Sequence, residues 1–374
     1  MLLLLACTGA LTDDSSPDLD DTGELQPFTL SWTSVDEGAE GADLVIADDG
    51  TLYATFVRGG HVWIRSSADR GQTWTDASYV NSQGNPSTYG VSHPEVDVDA
   101  NRVLVSMASG HNQSLWVAPR DTLAFEHVTD INADDSWQFE AIFFQGRFAP
   151  DGDIVASFHA FPKGTWSEGW KGVAYQSKGF ELQAISDPAA GLPCECCAHD
   201  LQFTSSGPLL AWRGNDDDIR DMTVATGEQL DQVVVAGDLH PEISYCPVQG
   251  PRVAEAPDGE LWMVWADAMS APYAPYLATS SDEGATWSPS EVILAELDDQ
   301  MRPSPTVALD GRGRGLVTWS PEIGASGGAV LRNGAWEQLT LERDLVQVEA
   351  VGHGDFLGAI GVDGDGGVWL LRAD

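Results

Sequence analysis

Ser67-Ala68-Asp69-Arg70-Gly71-Gln72-Thr73-Trp74 and Ser280-Ser281-Asp282-Glu283-Gly284-Ala285-Thr286-Trp287 are two copies of one pattern, Ser-x-Asp-x-Gly-x-Thr-Trp, set far apart in the chain. The pattern is a turn with its own chemistry. Asp and Ser side chains bond turn backbone, Gly takes a φ that side chains disfavour, and Trp fills the gap between neighbouring strands. Two full matches therefore predict two equivalent turns in a repeated unit.

Outward from these turns a unit does recur: an inner strand, a Gly or Asn turn, a second apolar strand with a bulky residue, then two more strands. The turns fall at Gly50, Asn101, Gly152, Gly207, Gly259, Gly313 and Gly354. Phe56, Met107, Phe158, Trp212, Trp265, Trp319 and Ile360 follow them at nearly constant spacing. A repeat of about 50 residues is the size of a four-stranded blade, so the spacing predicts an all-β chain folded as a single β-propeller. Seven blades fit best, with six as the alternative. Weaker relics of the turn pattern end at Phe125, Phe180 and Trp336. The last unit supplies three strands (346–351, 356–362 and 368–372), and the β-rich stretch 28–35 at the other end supplies the strand that closes the ring.

Composition narrows the function. With 58 acidic and 18 basic residues the net charge is −40, which repels phosphate backbones and excludes nucleic acid as a partner class. Met1-Leu2-Leu3-Leu4-Leu5-Ala6-Cys7 reads as the end of a lipoprotein signal, with Cys7 as the lipidated residue. It is too short to span a bilayer and lacks a basic start, so the natural start is expected upstream. Residues 8–27, rich in Asp, Ser, Thr and Pro, read as an acidic tether, and 28–374 as the propeller. The expectation is an exported, monomeric protein that touches the membrane through its lipid alone. Thr8 after Cys7 favours the outer membrane or cell surface.

In a propeller the hairpins between first and second strands share one face with those between third and fourth. The remaining connections share the other face, called the top here. That topology sends His61, His93, His111, His199 and His240 to the top, with His159 near the end of its strand. With them go Cys194-Glu195-Cys196-Cys197-Ala198-His199-Asp200, the loop from Arg213 to Asp221, and Cys246-Pro247-Val248-Gln249-Gly250-Pro251-Arg252. Cys194, Cys196, Cys197 and Cys246 admit two disulfides, a copper or zinc site completed by His199, or a redox-active disulfide. Arg213, Arg220 and Arg252, with Gln249, form a candidate clamp for a carboxylate-bearing sugar. Asp200, Asp221 and Glu195, with Asp218, are candidate acids or bases. Trp166, Trp170, Tyr273 and Tyr276 offer faces for sugar stacking or for loop packing.

The two full turn motifs are Asp boxes, and with the repeat number they make residues 28–374 resemble the sialidase-like (BNR, Asp-box) propeller proteins. The Cys-x-Cys-Cys stretch, Asp218-Ile219-Arg220-Asp221-Met222 and Cys246-Pro247-Val248-Gln249-Gly250-Pro251 resemble an exported subset of that family. The resemblance implies the fold and an acidic-glycan ligand, with hydrolysis as a further step. This chain departs from true sialidases in lacking an Arg-Ile-Pro element. Met301-Arg302-Pro303 does not replace it, and neither Tyr245 nor Tyr276 maps onto a nucleophile.

Overall fold

The computed structural model describes residues 29–81, 86, 93–109, 112–131, 139–162, 169–186, 192–244, 247–267, 274–294, 304–320, 326–332 and 334–373. Within them the strands form seven antiparallel sheets arranged as the blades of a ring. Blade 1 holds β2 (Ala39–Ile46), β3 (Leu52–Arg58), β4 (His61–Ser67) and β5 (Ser78–Tyr79). Blade 2 holds β6 (Glu95–Val98), β7 (Arg102–Ser109), β8 (Asn112–Pro119) and β9 (Glu126–Ile131). Blade 3 holds β10 (Phe139–Phe148), β11 (Ile154–Pro162), β12 (Trp170–Tyr175) and β13 (Glu181–Ala184). Blade 4 holds β15 (His199–Thr204), β16 (Gly207–Asn215), β17 (Met222–Thr226) and β18 (Gln232–Ala236), with β14 (Leu192–Pro193) added beside β16. Blade 5 holds β19 (Arg252–Glu255), β20 (Leu261–Asp267), β21 (Ala274–Ser280) and β22 (Glu291–Val292). Blade 6 holds β23 (Ser304–Leu309), β24 (Gly315–Ser320), β25 (Gly327–Arg332) and β26 (Ala335–Leu339).

Blade 7 is built from both ends of the chain. β27 (Leu345–His353), β28 (Phe356–Asp363) and β29 (Val368–Ala373) are completed by β1 (Leu30–Asp36), which pairs antiparallel with β29 from Leu30↔Ala373 inward. Asp36 then reaches blade 1, with Oδ1 2.5 Å from Arg58 Nη1 and Oδ2 2.8 Å from Arg65 Nε. The seven-blade expectation and the closing strand are both found.

Among the described residues there is no single core. Apolar side chains gather in seven clusters, one at each junction between neighbouring blades, because a blade buries both of its faces. The bulky residues read from the repeat lie in these junctions: Phe56, Met107, Phe158, Trp212, Trp265, Trp319 and Ile360 are all buried. Phe125, Phe180 and Trp336 pack onto the same clusters from the weaker turns.

The Asp boxes have the chemistry expected of them, in both copies. Asp69 Oδ1 accepts from Ser67 Oγ (2.8 Å) and Thr73 N (2.8 Å), and Oδ2 from Thr73 Oγ1 (2.6 Å). Asp282 repeats the three bonds with Ser280 and Thr286 at 2.8, 2.8 and 2.6 Å. Gly71 has φ +79°, and a Cβ there would lie 2.0 Å from Leu370 Cδ2, so only glycine fits against blade 7. Trp74 packs on the junction of blades 7 and 1, and Trp287 on that of blades 4 and 5. The hydrogen bonds from Thr73 and Ser67 hold the Asp69 carboxyl down at about 2.

Candidate functional site

The seven inner strands surround a central channel whose cavity measures about 490 Å³. An inner strand has a neighbour on only one side, so its channel-side N–H groups need other acceptors. Side chains supply them, and each reaches from one blade to the next. Asp43 Oδ2 accepts from Val96 N (2.8 Å), Asp97 Oδ2 from Phe148 N (2.6 Å), and Gln145 Oε1 from Leu201 N (2.9 Å). Asp200 Oδ2 accepts from Val253 N (2.7 Å), Thr306 Oγ1 from Ala350 N (2.8 Å), and Gln347 Oε1 from Ala42 N (3.0 Å). The channel wall is thus stapled across the ring.

Charge is concentrated on the same wall. Glu95 bonds Gln145 Nε2 and Arg147 Nη2, both at 2.8 Å, and Arg252 Nη1 donates to the His199 carbonyl at 3.1 Å. His93, just before β6, stands 2.9 Å from Glu349 Oε1 through Nε2. Burial and the charge of Glu349 push the Asp43 carboxyl up to about 7. Burial also works against the ions of this pair, yet Glu349, Asp43 and Glu95 lift His93 to about 9, while His93 and Arg252 hold Glu349 at about 2. Against burial, Arg252 is raised by Asp200, Glu95 and Glu349, and Arg147 by Glu95, Asp97 and Asp200.

The cysteine stretch sits beside this channel, clamped on the neighbouring blade. Ala198 N donates to Val248 O (3.1 Å), and Gly250 lies so close that a Cβ would meet Ala198 O at 2.0 Å. Sequence equivalence of the two stretches therefore became real contact. Cys194 and Cys197 form a disulfide (S–S 2.06 Å). Cys196 Sγ is 3.9 Å from Cys194 Sγ and is disulfide-bonded too, whereas Cys246 and Cys7 lie outside the described residues. In this oxidation state Cys194 and Cys197 offer no thiolate to copper or zinc. His199 is turned to Ser157, its Nε2 2.9 Å from the hydroxyl, and burial holds it well below its usual value.

The three arginines do not converge. Arg213 is fully buried, and its guanidinium bonds Gln249 O (3.1 Å), Ala266 O (2.7 Å), Arg220 O (3.3 Å) and Asp267 Oδ2 (3.0 Å). It braces blades 4 and 5. Arg220 donates to Ile243 O (3.1 Å) and stands 3.9 Å from Glu195 and 3.7 Å from Asp218. Burial lowers it. Arg252 alone of the three lines the channel.

The proposed acids separate in the same way. Asp200 lines the channel, with burial raising its carboxyl against Arg252 and Arg147. Glu195 is half-buried near Asn215 and Arg220, and Asp221 takes His240 Nδ1 at 3.0 Å on the rim. Gln249 is buried, with its carbonyl bonded to Arg213. Trp170 packs into the junction of blades 2 and 3, and Tyr276 stacks on Trp265 (6.0 Å, 20°), so both serve packing. His111, Trp166, Tyr245, Tyr273 and Met301 to Pro303 lie outside the described residues.

Sequence reasoning missed most of the channel ring: Asp43, Glu95, Asp97, Arg147 and Glu349. A signal existed. Asp43, Gln145, Asp200, Arg252, Thr306 and Gln347 all stand seven residues before their blade's turn, a polar column at a position that otherwise reads as strand. Also missed was Lys171, which is fully buried opposite His159 on the adjacent strand. Its ammonium donates to Cys197 O at 2.9 Å and faces the Phe143 ring at 5.6 Å. Burial brings it down to about 7.

Fold and channel together define a closed seven-bladed β-propeller. The polysaccharide lyase Uly1 superposes with a TM-score of 0.56 at 9% identity, covering 96% of this chain and 94% of that one. A puromycin-hydrolyzing peptidase of Mycobacterium tuberculosis gives 0.50 at 15% identity, over 93% of this chain and 55% of that one. The Hadza microbial sialidase Hz136 gives 0.47 at 15%, over 79% and 66%. At these identities the likeness is one of fold. No protein-family model and no curated protein matches the chain.

Proposed function

We propose that the protein is an exported, lipid-anchored propeller that binds a glycan in its central channel. The observation that carries this reading is the cavity of about 490 Å³, ringed by hydrogen-bonding side chains from all seven inner strands. That size lies in the range of small-ligand sites, and rings of carboxylate, amide and guanidinium groups match the dense hydroxyls of a sugar. The likeness to Uly1, a polysaccharide lyase, supports the same direction. The acidic-glycan form of the reading narrows to Arg147 and Arg252, because Arg213 and Arg220 are engaged elsewhere. A sugar carboxylate would meet Arg252, in a cavity that also carries Asp43, Glu95, Asp200 and Glu349. Disulfides and the Leu-Leu-Ala-Cys box support export.

Calorimetry against neutral, uronic-acid and sialic-acid oligosaccharides tests the proposal. Binding by the wild type, weakened more than about tenfold in Arg252→Gln with the fold intact by circular dichroism, is the expected result. Binding that is absent for every class, or unchanged in Arg252→Gln, overturns it. Release of reducing ends, lost in Asp200→Asn, would extend binding to hydrolysis with Asp200 as the acid.

A further inference from the structure

One corner of the channel wall has donors of a different character. Asp43 on β2, His93 before β6 and Glu349 on β27 each place one donor atom within 4.8 Å of the other two. They come from three blades, so ring closure itself assembles them. The His93 side chain is 2% exposed. Its Nδ1 is buried with no hydrogen-bond partner among the described residues. A buried imidazole nitrogen left without a partner calls for an explanation.

The carboxylates are held in place without being used up. Asp43 accepts from Leu44 N (2.7 Å) and Val96 N (2.8 Å), one bond to each oxygen, which leaves each oxygen a further lone pair. Glu349 is set between His93 and Gln347 Nε2, the latter at 3.4 Å from Oε1. Asp43 and Glu349 line the main cavity, while His93 lines a small recess with Glu95, His199 and Arg252.

We propose that Asp43, His93 and Glu349 form a binding site for one divalent first-row metal ion, zinc or manganese. An imidazole with two carboxylates suits these ions, whereas magnesium and calcium favour oxygen donors alone. The ion would neutralise carboxylates crowded on one wall, and three protein ligands leave coordination positions for water or a ligand oxygen from the cavity. The site is separate from the cysteine stretch and independent of whether a glycan binds.

The test uses the purified full chain with its disulfides intact, stripped with chelator and dialysed against zinc or manganese chloride, with magnesium and calcium chloride in parallel. Elemental analysis should find one equivalent of zinc or manganese, and His93→Gln and Glu349→Gln should each weaken binding more than about tenfold. Glu195→Gln should leave it unchanged. Failure of the wild type to hold a stoichiometric ion, or equal affinity in both channel variants, overturns the proposal. If circular dichroism finds His93→Gln misfolded, Glu349→Gln decides alone. No glycan enters the experiment, so its outcome is read apart from that of the glycan reading.

Discussion

Lys171 is a cation in a place that should reject one. It is fully buried, its one hydrogen-bond acceptor among the described contacts is the Cys197 carbonyl, and burial lowers it to about 7 from 10.5. The unfolded chain keeps the proton up to about 10.5, while the native state gives it up near 7. Between those values unfolding takes up a proton, so raising the pH favours the native state. Below 7 the cost of the buried charge is fully present. Urea titrations from pH 6 to 10 should therefore show the wild type gaining on Lys171→Met as pH rises, by at most about 1.4 kcal/mol per unit. Parallel stability curves would refute the assignment. Nothing in the sequence marked Lys171, because its burial depends on His159 and the cysteine loop closing over it, contacts that local pattern does not encode.

The elements were far more legible, because their signals are local. Asp boxes, glycine turns and junction plugs each fit within a few residues, and Phe56, Trp265 and Trp319 sit where their spacing put them. The inner strands were legible as strands but not as a wall. Each contributes only a few polar side chains, and an isolated Asp97 or Gln145 looks like any polar strand residue until the neighbouring blade is in place. The arginine clamp failed for a related reason: topology put Arg213, Arg220 and Arg252 on one side, but it could not say that Asp267 would take Arg213 inward. The staples make a prediction at this scale. Asp97→Ala removes the acceptor of Phe148 N and leaves a buried donor unpaired, which should cost about 1–3 kcal/mol in chemical denaturation. Asp97→Asn keeps an acceptor and should recover most of that loss. Equal stability of the two variants would mean that the staple carries no load.

At the scale of the whole molecule, the proposed lipid anchor at Cys7 carries its own prediction. Expressed in a bacterium with its upstream start in place, the chain should partition into the detergent phase and take up labelled fatty acid, and Cys7→Ser should abolish both. A protein that stays in the aqueous phase with Cys7 intact would rule the anchor out. Blade 7, however, ties this beginning of the chain to its end, with β1 hydrogen-bonded to β29. During synthesis or export the first strand must wait, unpaired, until the last one emerges. The pairing of β1 with β29 spans nearly the whole chain, and it can form only last. The ring is in this sense a clock: six blades can form as the chain appears, but the donors drawn from blades 1, 2 and 7 meet only when the final strand arrives, so an unfinished chain carries no assembled channel.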